Sequence, residues 1–271
     1  MDLAHIVLLV VAGLAAGAVN AIAGGGSLIT FPSLIAVGLP SVDANVTNST
    51  AVFPGYVSSV VGSRADLAGQ RRRLRAVVPS CLLGTVLGCL LLLGTPARAF
   101  EVVVPFLVLG AAAILFFQDR LRALVGRATD RRTGGTTSVT AGGTTSAKTE
   151  EKAGLTLHVV VFVGAIYGGY FGAALGVMYV AAFALVLDET LNRINALKNV
   201  LSACVGLTTV VVFGFFAPVH WGAVLAVAPA TIVGGYVGAR LARRLPARVL
   251  KLLIVSFGAV VGLILLWRAF G

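Results

Sequence analysis

Gly24-Gly25-Gly26-Ser27 interrupts an apolar block that runs from residue 5 to residue 38. A second block, over 156–187, is interrupted by Gly168-Gly169-Tyr170-Phe171-Gly172 and then by Gly176. Neither block fits a single membrane span, which needs about 20 apolar residues. Glycine in a helix interior costs about 1 kcal/mol relative to alanine. In hydrocarbon, the backbone groups freed by a break must also find partners, so breaks survive only where protein or a wet cavity surrounds them. Each long block therefore reads as two helical arms joined at a break.

The remaining apolar blocks are 46–62, 76–94 and 100–118 in the first half, and 199–214, 221–239 and 250–267 in the second. Each half is thus a glycine-broken helical hairpin followed by three transmembrane helices. Composition agrees with this reading. Hydrophobic residues make up 58% of the 271-residue chain and charged residues 11%, with a mean hydropathy of +0.98, whereas soluble domains carry about a quarter charged residues. The fold class expected is an all-α polytopic membrane protein. A net charge of +11 would suit nucleic acid if it formed one patch. Here the basic residues lie in short clusters between apolar blocks, so the partner they imply is the lipid bilayer, not nucleic acid.

Those clusters are Arg64 with Arg71, Arg72, Arg73 and Arg75, then Arg120, Arg122, Arg127, Arg131, Arg132, Lys148 and Lys152. They continue with Arg193 and Lys198, and with Arg240, Arg243, Arg244, Arg248 and Lys251. Placing all four in the cytoplasm leaves only Arg98 and Arg268 outside, and the opposite orientation reverses that balance. The hairpin of 5–38 then opens outward and that of 156–187 inward, so the halves are inverted-topology repeats. The expected division is a first membrane repeat over 1–118, a flexible basic cytoplasmic linker over 119–155, and a second repeat over 156–271. The linker carries Gly134-Gly135-Thr136-Thr137-Ser138 and Gly142-Gly143-Thr144-Thr145-Ser146 and almost no large apolar residue, so it builds no core. Asn48 follows Gly24 by 24 residues and Asn199 follows Gly172 by 27, each opening an apolar block. Inverted repeats with broken helices are a recurring plan of secondary transporters, which bind substrate at the midplane.

Gly24 through Pro32, then Gly38-Leu39-Pro40 and Thr47-Asn48-Ser49, resemble the first signature of the sulfite exporter TauE/SafE family. Gly169-Tyr170-Phe171-Gly172-Ala173-Ala174-Leu175-Gly176 and Ala196-Leu197-Lys198-Asn199 resemble its repeat, with Ala173, Ala174 and Leu175 standing between the glycines. The resemblance covers nearly the whole chain apart from the linker. It implies a transporter of small sulfur-containing anions such as sulfite or organosulfonates.

The residues themselves fit an oxyanion. Backbone N–H groups at helix starts, with roughly half a positive charge from the macrodipole, bind anions without a buried fixed charge. Gly24, Gly25, Gly26 and Ser27 are expected to form one half-site, and Gly172 and Gly176 the other. Asn48 and Asn199 add amide donors, with Ser49 and Ser202 nearby. Close helix packing is the competing reading of each glycine, and helix capping that of Asn45 and Asn48, although both match the N-glycosylation pattern. Lys198 reads first as a positive-inside residue at the end of its helix, and only second as an attractant for an anion. Asp188 and Glu189 are expected to pair locally with Arg193. Trp221 and Trp267 suit an aromatic belt.

The function expected is a secondary transporter moving a small anion by alternating access across a bacterial cytoplasmic membrane, with a homo-oligomer left open. An anion channel, or a transporter of an unrelated solute, is the alternative. An intramembrane enzyme is disfavoured, because Ser27 has no histidine to serve as its base and the zinc-protease pattern is missing. Cys81, Cys89 and Cys204 lie inside apolar blocks with no metal or redox spacing, and His5, His158 and His220 form no cluster. No cofactor or metal is expected. Glu101 sits at an external edge, so a buried proton relay is not supported.

Overall fold

A computed structural model of the chain describes residues 2–22, 24–133, 145–187, 189–241 and 247–270. Among these it is all helix. The first half comprises α1 (Leu3–Ile22), α2 (Ser27–Ala36), α3 (Ser41–Gly62), α4 (Arg71–Gly94) and α5 (Ala97–Thr133). The second comprises α6 (Thr145–Tyr170), α7 (Leu175–Val186), α8 (Leu191–Phe216), α9 (Trp221–Leu241) and α10 (Ala247–Phe270). Four helical stretches, Leu3–Asn20, Arg71–Gly94, Ala97–Phe117 and Asn192–Phe216, are long and apolar enough to cross a membrane. Large apolar side chains such as Leu83, Phe215 and Leu225 remain exposed on the outside of the bundle, as a lipid-facing surface requires.

Both long apolar blocks are broken where the glycines stand. Helix α1 closes with the Gly24 N–H on the Val19 carbonyl (3.1 Å), and α6 closes with the Gly172 N–H on the Tyr167 carbonyl (3.0 Å). Each bond reaches back five residues, and each glycine has positive φ, +81° at Gly24 and +71° at Gly172. This left-handed turn is open to glycine and strained for other residues. The arms that follow, α2 of 10 residues and α7 of 12, are about 15 and 18 Å long. Each is therefore about half as long as a 30 Å hydrocarbon core is thick. Helix α2 ends in a Schellman motif, with Gly38 N–H on Ile35 and Leu39 N–H on Leu34.

The helix pairings of the two halves correspond. Helix α1 packs along α9 as α6 packs along α4, α3 meets α8, and α5 meets α10. The two longest seams are lined by glycine. At Gly17 a Cβ would overlap the Thr231 carbonyl on α9, and at Gly88 it would overlap the Ile166 carbonyl on α6. Small residues allow this approach of backbones, and in lipid van der Waals packing is a main source of helix association.

One expectation is corrected. Asn45 and Asn48 do not cap α3, because that helix begins at Ser41, with Pro40 as its N-cap. The polar run Ser41–Ser49 hid the first two turns from a reading based on hydropathy. The segment 119–155 is helical at both described ends, since α5 continues to Thr133 and α6 begins at Thr145. Leucine, alanine and arginine are strong helix formers, and extending a helix already nucleated needs no core. Residues 134–144, with most of the glycine–threonine runs, lie outside the described residues, as does Asp188.

Candidate functional site

The two glycine breaks meet. A Cβ at Gly24 would lie 3.0 Å from Gly176 Cα, and one at Gly176 would lie 3.1 Å from Gly24 Cα. This contact joins the break before α2 to the first turn of α7, and it brings the N-termini of two half-helices to one place. Glycine at both positions permits the approach, because a side chain at either would crowd the opposite backbone. Side chains then fix each break. Asn20 Oδ1 accepts the Gly26 N–H at 2.8 Å, and the Tyr167 hydroxyl donates to the Ala173 carbonyl at 2.7 Å. Asn45 Nδ2 reaches across the halves to the Tyr170 carbonyl at 2.8 Å. Phe31 of α2 stands edge-on to Phe171, with ring centroids 5.2 Å apart.

Beside the breaks lies a cavity of about 20 Å³, lined among others by Ser27, Ser49, Tyr56, Gly172, Gly206 and Thr209. That is room for about one water. Three of the residues expected from sequence thus share a wall. Asn48 accepts a hydrogen bond from the Thr30 hydroxyl, tying α3 to α2. Asn199 donates to Ser63 Oγ (3.0 Å) and the Ser59 carbonyl (3.3 Å), tying α8 to the end of α3. Gly25 packs on Leu115, and Ser202 is buried on α8.

Tyr56 and Thr209 were missed by sequence reading. Both continue stripes that a helical period exposes: Asn45, Ser49, Val52 and Tyr56 on α3, and Lys198, Ser202, Val205 and Thr209 on α8. Lys198 is a larger departure. It is 4% exposed, and a Cβ at Gly176 would meet its Cδ at 3.2 Å. It lies against the meeting point rather than at a helix end.

The two ends of the bundle are bridged differently. At the basic end Glu189 accepts from Arg193 Nε (2.6 Å) and from Arg73 Nη1 (3.0 Å), so the local pair expected with Arg193 is joined by a contact across the halves. Arg193 also donates to the Ala68 carbonyl, and buried Gln70 donates to the Arg193 carbonyl. Partial burial pushes the Glu189 carboxyl up, but the hydrogen bonds and charges of Arg73 and Arg193 outweigh it and hold the group below the usual carboxylate range. At the opposite end His220 Nε2 stands 3.2 Å from Asp43 Oδ2, and the His220 backbone N–H donates to Thr47 Oγ1 at 3.1 Å.

The family model described as "Sulfite exporter TauE/SafE" matches residues 9–265. A "Probable membrane transporter protein ORF9" of Sinorhizobium sp is 28% identical, over 94% of this chain and 91% of its own length. A "Probable membrane transporter protein" of Haemophilus influenzae is 25% identical, over 84% of this chain and 82% of its own. "Probable membrane transporter protein YfcA" of Escherichia coli is 24% identical, over 94% and 87% respectively. No solved structure matches the chain.

Proposed function

The chain belongs to the sulfite exporter TauE/SafE family, and from that membership we propose that it carries a small sulfur-containing anion across the cytoplasmic membrane by alternating access. The observation that carries the proposal is the contact of Gly24 with Gly176 at the starts of two half-helices. Two positive helix ends converge there, on glycine backbone, and an oxyanion is the ligand that suits such a place. Gly24, Gly25, Gly26 and Ser27 form one half-site and the stretch from Gly172 to Gly176 the other. Ser49, with Tyr56 and Thr209, lines the space beside them. Asn48 and Asn199 hold α2, α3 and α8 in register around it. The correspondence of α1·α9 with α4·α6 supports two repeats, and the separation of the basic clusters from Asp43 and His220 supports their opposite orientation in the membrane.

The test is uptake of radiolabelled sulfite into proteoliposomes holding the full chain. Saturable uptake, competed by unlabelled sulfite and not by chloride, is the expected result. Flux that rises linearly with concentration would replace the carrier with a channel. Absence of flux for sulfite, thiosulfate and sulfoacetate would overturn the substrate class.

A further inference from the structure

We propose that Lys198 carries the fixed positive charge of this site and tunes it for an oxyanion bearing two negative charges, with Asn20 and Ser202 supplying further donors. The inference rests on the anion-transport reading above and adds residues and a charge preference to it. Lys198 lies inside the apolar stretch Asn192–Phe216 of α8, 4% exposed, with its stem against Gly176 in the first turn of α7. A charged side chain at such a depth is costly and marks a functional site by default.

Two neighbouring polar atoms point the same way. Asn20 is 3% exposed and its Oδ1 is used by Gly26, yet its Nδ2 has no hydrogen-bond partner. That Nδ2 lies 2.8 Å from where a Gly26 Cβ would stand, so the spare donor is aimed at the N-cap of α2. Ser202 is 1% exposed and its Oγ is likewise without a partner. It stands one turn along α8 from Lys198, between it and Val205 at the cavity wall. A buried donor left unsatisfied is expensive, and two of them flanking the joined breaks are explained together by a ligand that accepts hydrogen bonds.

Charge sets the class of ligand. One ammonium and two helix N-termini at about half a charge each amount to about two positive charges. A doubly charged oxyanion neutralises them. A sulfonate that also carries an ammonium group, such as taurine, brings that cation toward Lys198 and is disfavoured.

The experiment is thermal unfolding of the purified full-length protein in detergent, titrated with sodium sulfite, sodium sulfate, taurine and sodium chloride at matched ionic strength. Wild type should be stabilised by sulfite or sulfate and not by taurine or chloride. Lys198→Met should weaken the stabilising anion at least tenfold, and Lys198→Arg should stay within a few-fold of wild type. Ser202→Ala removes an atom that bonds nothing in the empty protein, so its unliganded melting temperature should hold or rise while the anion binds several-fold more weakly. If Lys198→Met does not fold, Ser202→Ala decides. Unaltered binding in these variants, with a wild type that responds, overturns the inference and leaves the transport reading standing. Equal stabilisation by taurine and sulfite overturns the charge preference. A wild type that responds to no anion overturns the anion site itself.

Discussion

A Cβ at Gly24 would stand 3.0 Å from Gly176 Cα, on a backbone already at φ +81°. Gly176 meets a similar limit, with Lys198 Cδ at 3.2 Å, but its φ is not positive. The two positions should therefore respond unequally. Gly24→Ala adds about 1–2 kcal/mol of left-handed strain to the overlap, whereas Gly176→Ala brings overpacking of about 1 kcal/mol. In thermal unfolding Gly24→Ala should fall further than Gly176→Ala, and both should transport more slowly in proteoliposomes. Equal melting temperatures would mean that the turn at Gly24 relaxes. Glu189 gives a second prediction at this scale. Its folded pKa is depressed, so its contribution is present above the unfolded carboxylate pKa and disappears as pH falls through the folded value. Glu189→Gln should lower the melting temperature near pH 7, and the gap to wild type should close progressively in acid below the ordinary carboxylate range. A gap independent of pH would assign the loss to packing. The residues of the site were unevenly legible. Gly24 and Gly172 stood out because glycine clusters break both long apolar blocks at matching places in the two halves. Lys198 did not, because apolarity begins at Asn199 while the helix begins at Leu191. Counted from Leu191 it is seven residues in, about 10 Å along the axis, and a lysine at that depth is no longer an end marker.

Among the elements, the short arms α2 and α7 depend on the long seams that hold their partners. Gly17 and Gly88 sit in corresponding seams, α1 on α9 and α4 on α6, each against a carbonyl that cannot retreat without moving a helix. Leucine at either position should cost about 3 kcal/mol or more, the upper range for overpacking. Gly17→Leu and Gly88→Leu should therefore lose most of the monodisperse peak in size-exclusion chromatography of solubilised protein. Gly62→Leu, where a Cβ meets nothing within 4 Å, should keep it. A monodisperse Gly17→Leu protein would show that the α1·α9 seam is not needed for folding. Most of these elements were readable from apolar block lengths, and their pairing was not. Block lengths carry no information about which helix lies beside which, and the glycines at 13, 17, 84 and 88 acquire a partner only in three dimensions. The long extensions of α5 and α6 escaped for a different reason. Helix propensity in a charged segment is silent in hydropathy, yet α5 continues through it to Thr133.

At the scale of the whole molecule, both ends are bridged in this structure around a cavity with room for about one water. Glu189 links Arg73 of one half to Arg193 of the other, and His220 links to Asp43 at the opposite end. Alternating access requires that these bridges not be broken together, because a path open at both ends is a channel. The bridges differ in kind. The basic end has two ion pairs, a buried glutamine and a backbone contact, whereas the other end has a His–Asp contact and the His220 backbone N–H on Thr47, with His220 half exposed. The prediction uses cysteine pairs in a background lacking Cys81, Cys89 and Cys204. Asp43→Cys with His220→Cys should, once oxidised, stop uptake of the transported anion into proteoliposomes, and a reductant should restore it. Arg73→Cys with Glu189→Cys should do the same from the other end, although its reduced form starts lower because the ion pairs are gone. Inhibition by both crosslinks shows that each end must open within a cycle. Full flux with either crosslink intact would mean that this end is static, and the bridges would then be staples of the fold and not gates.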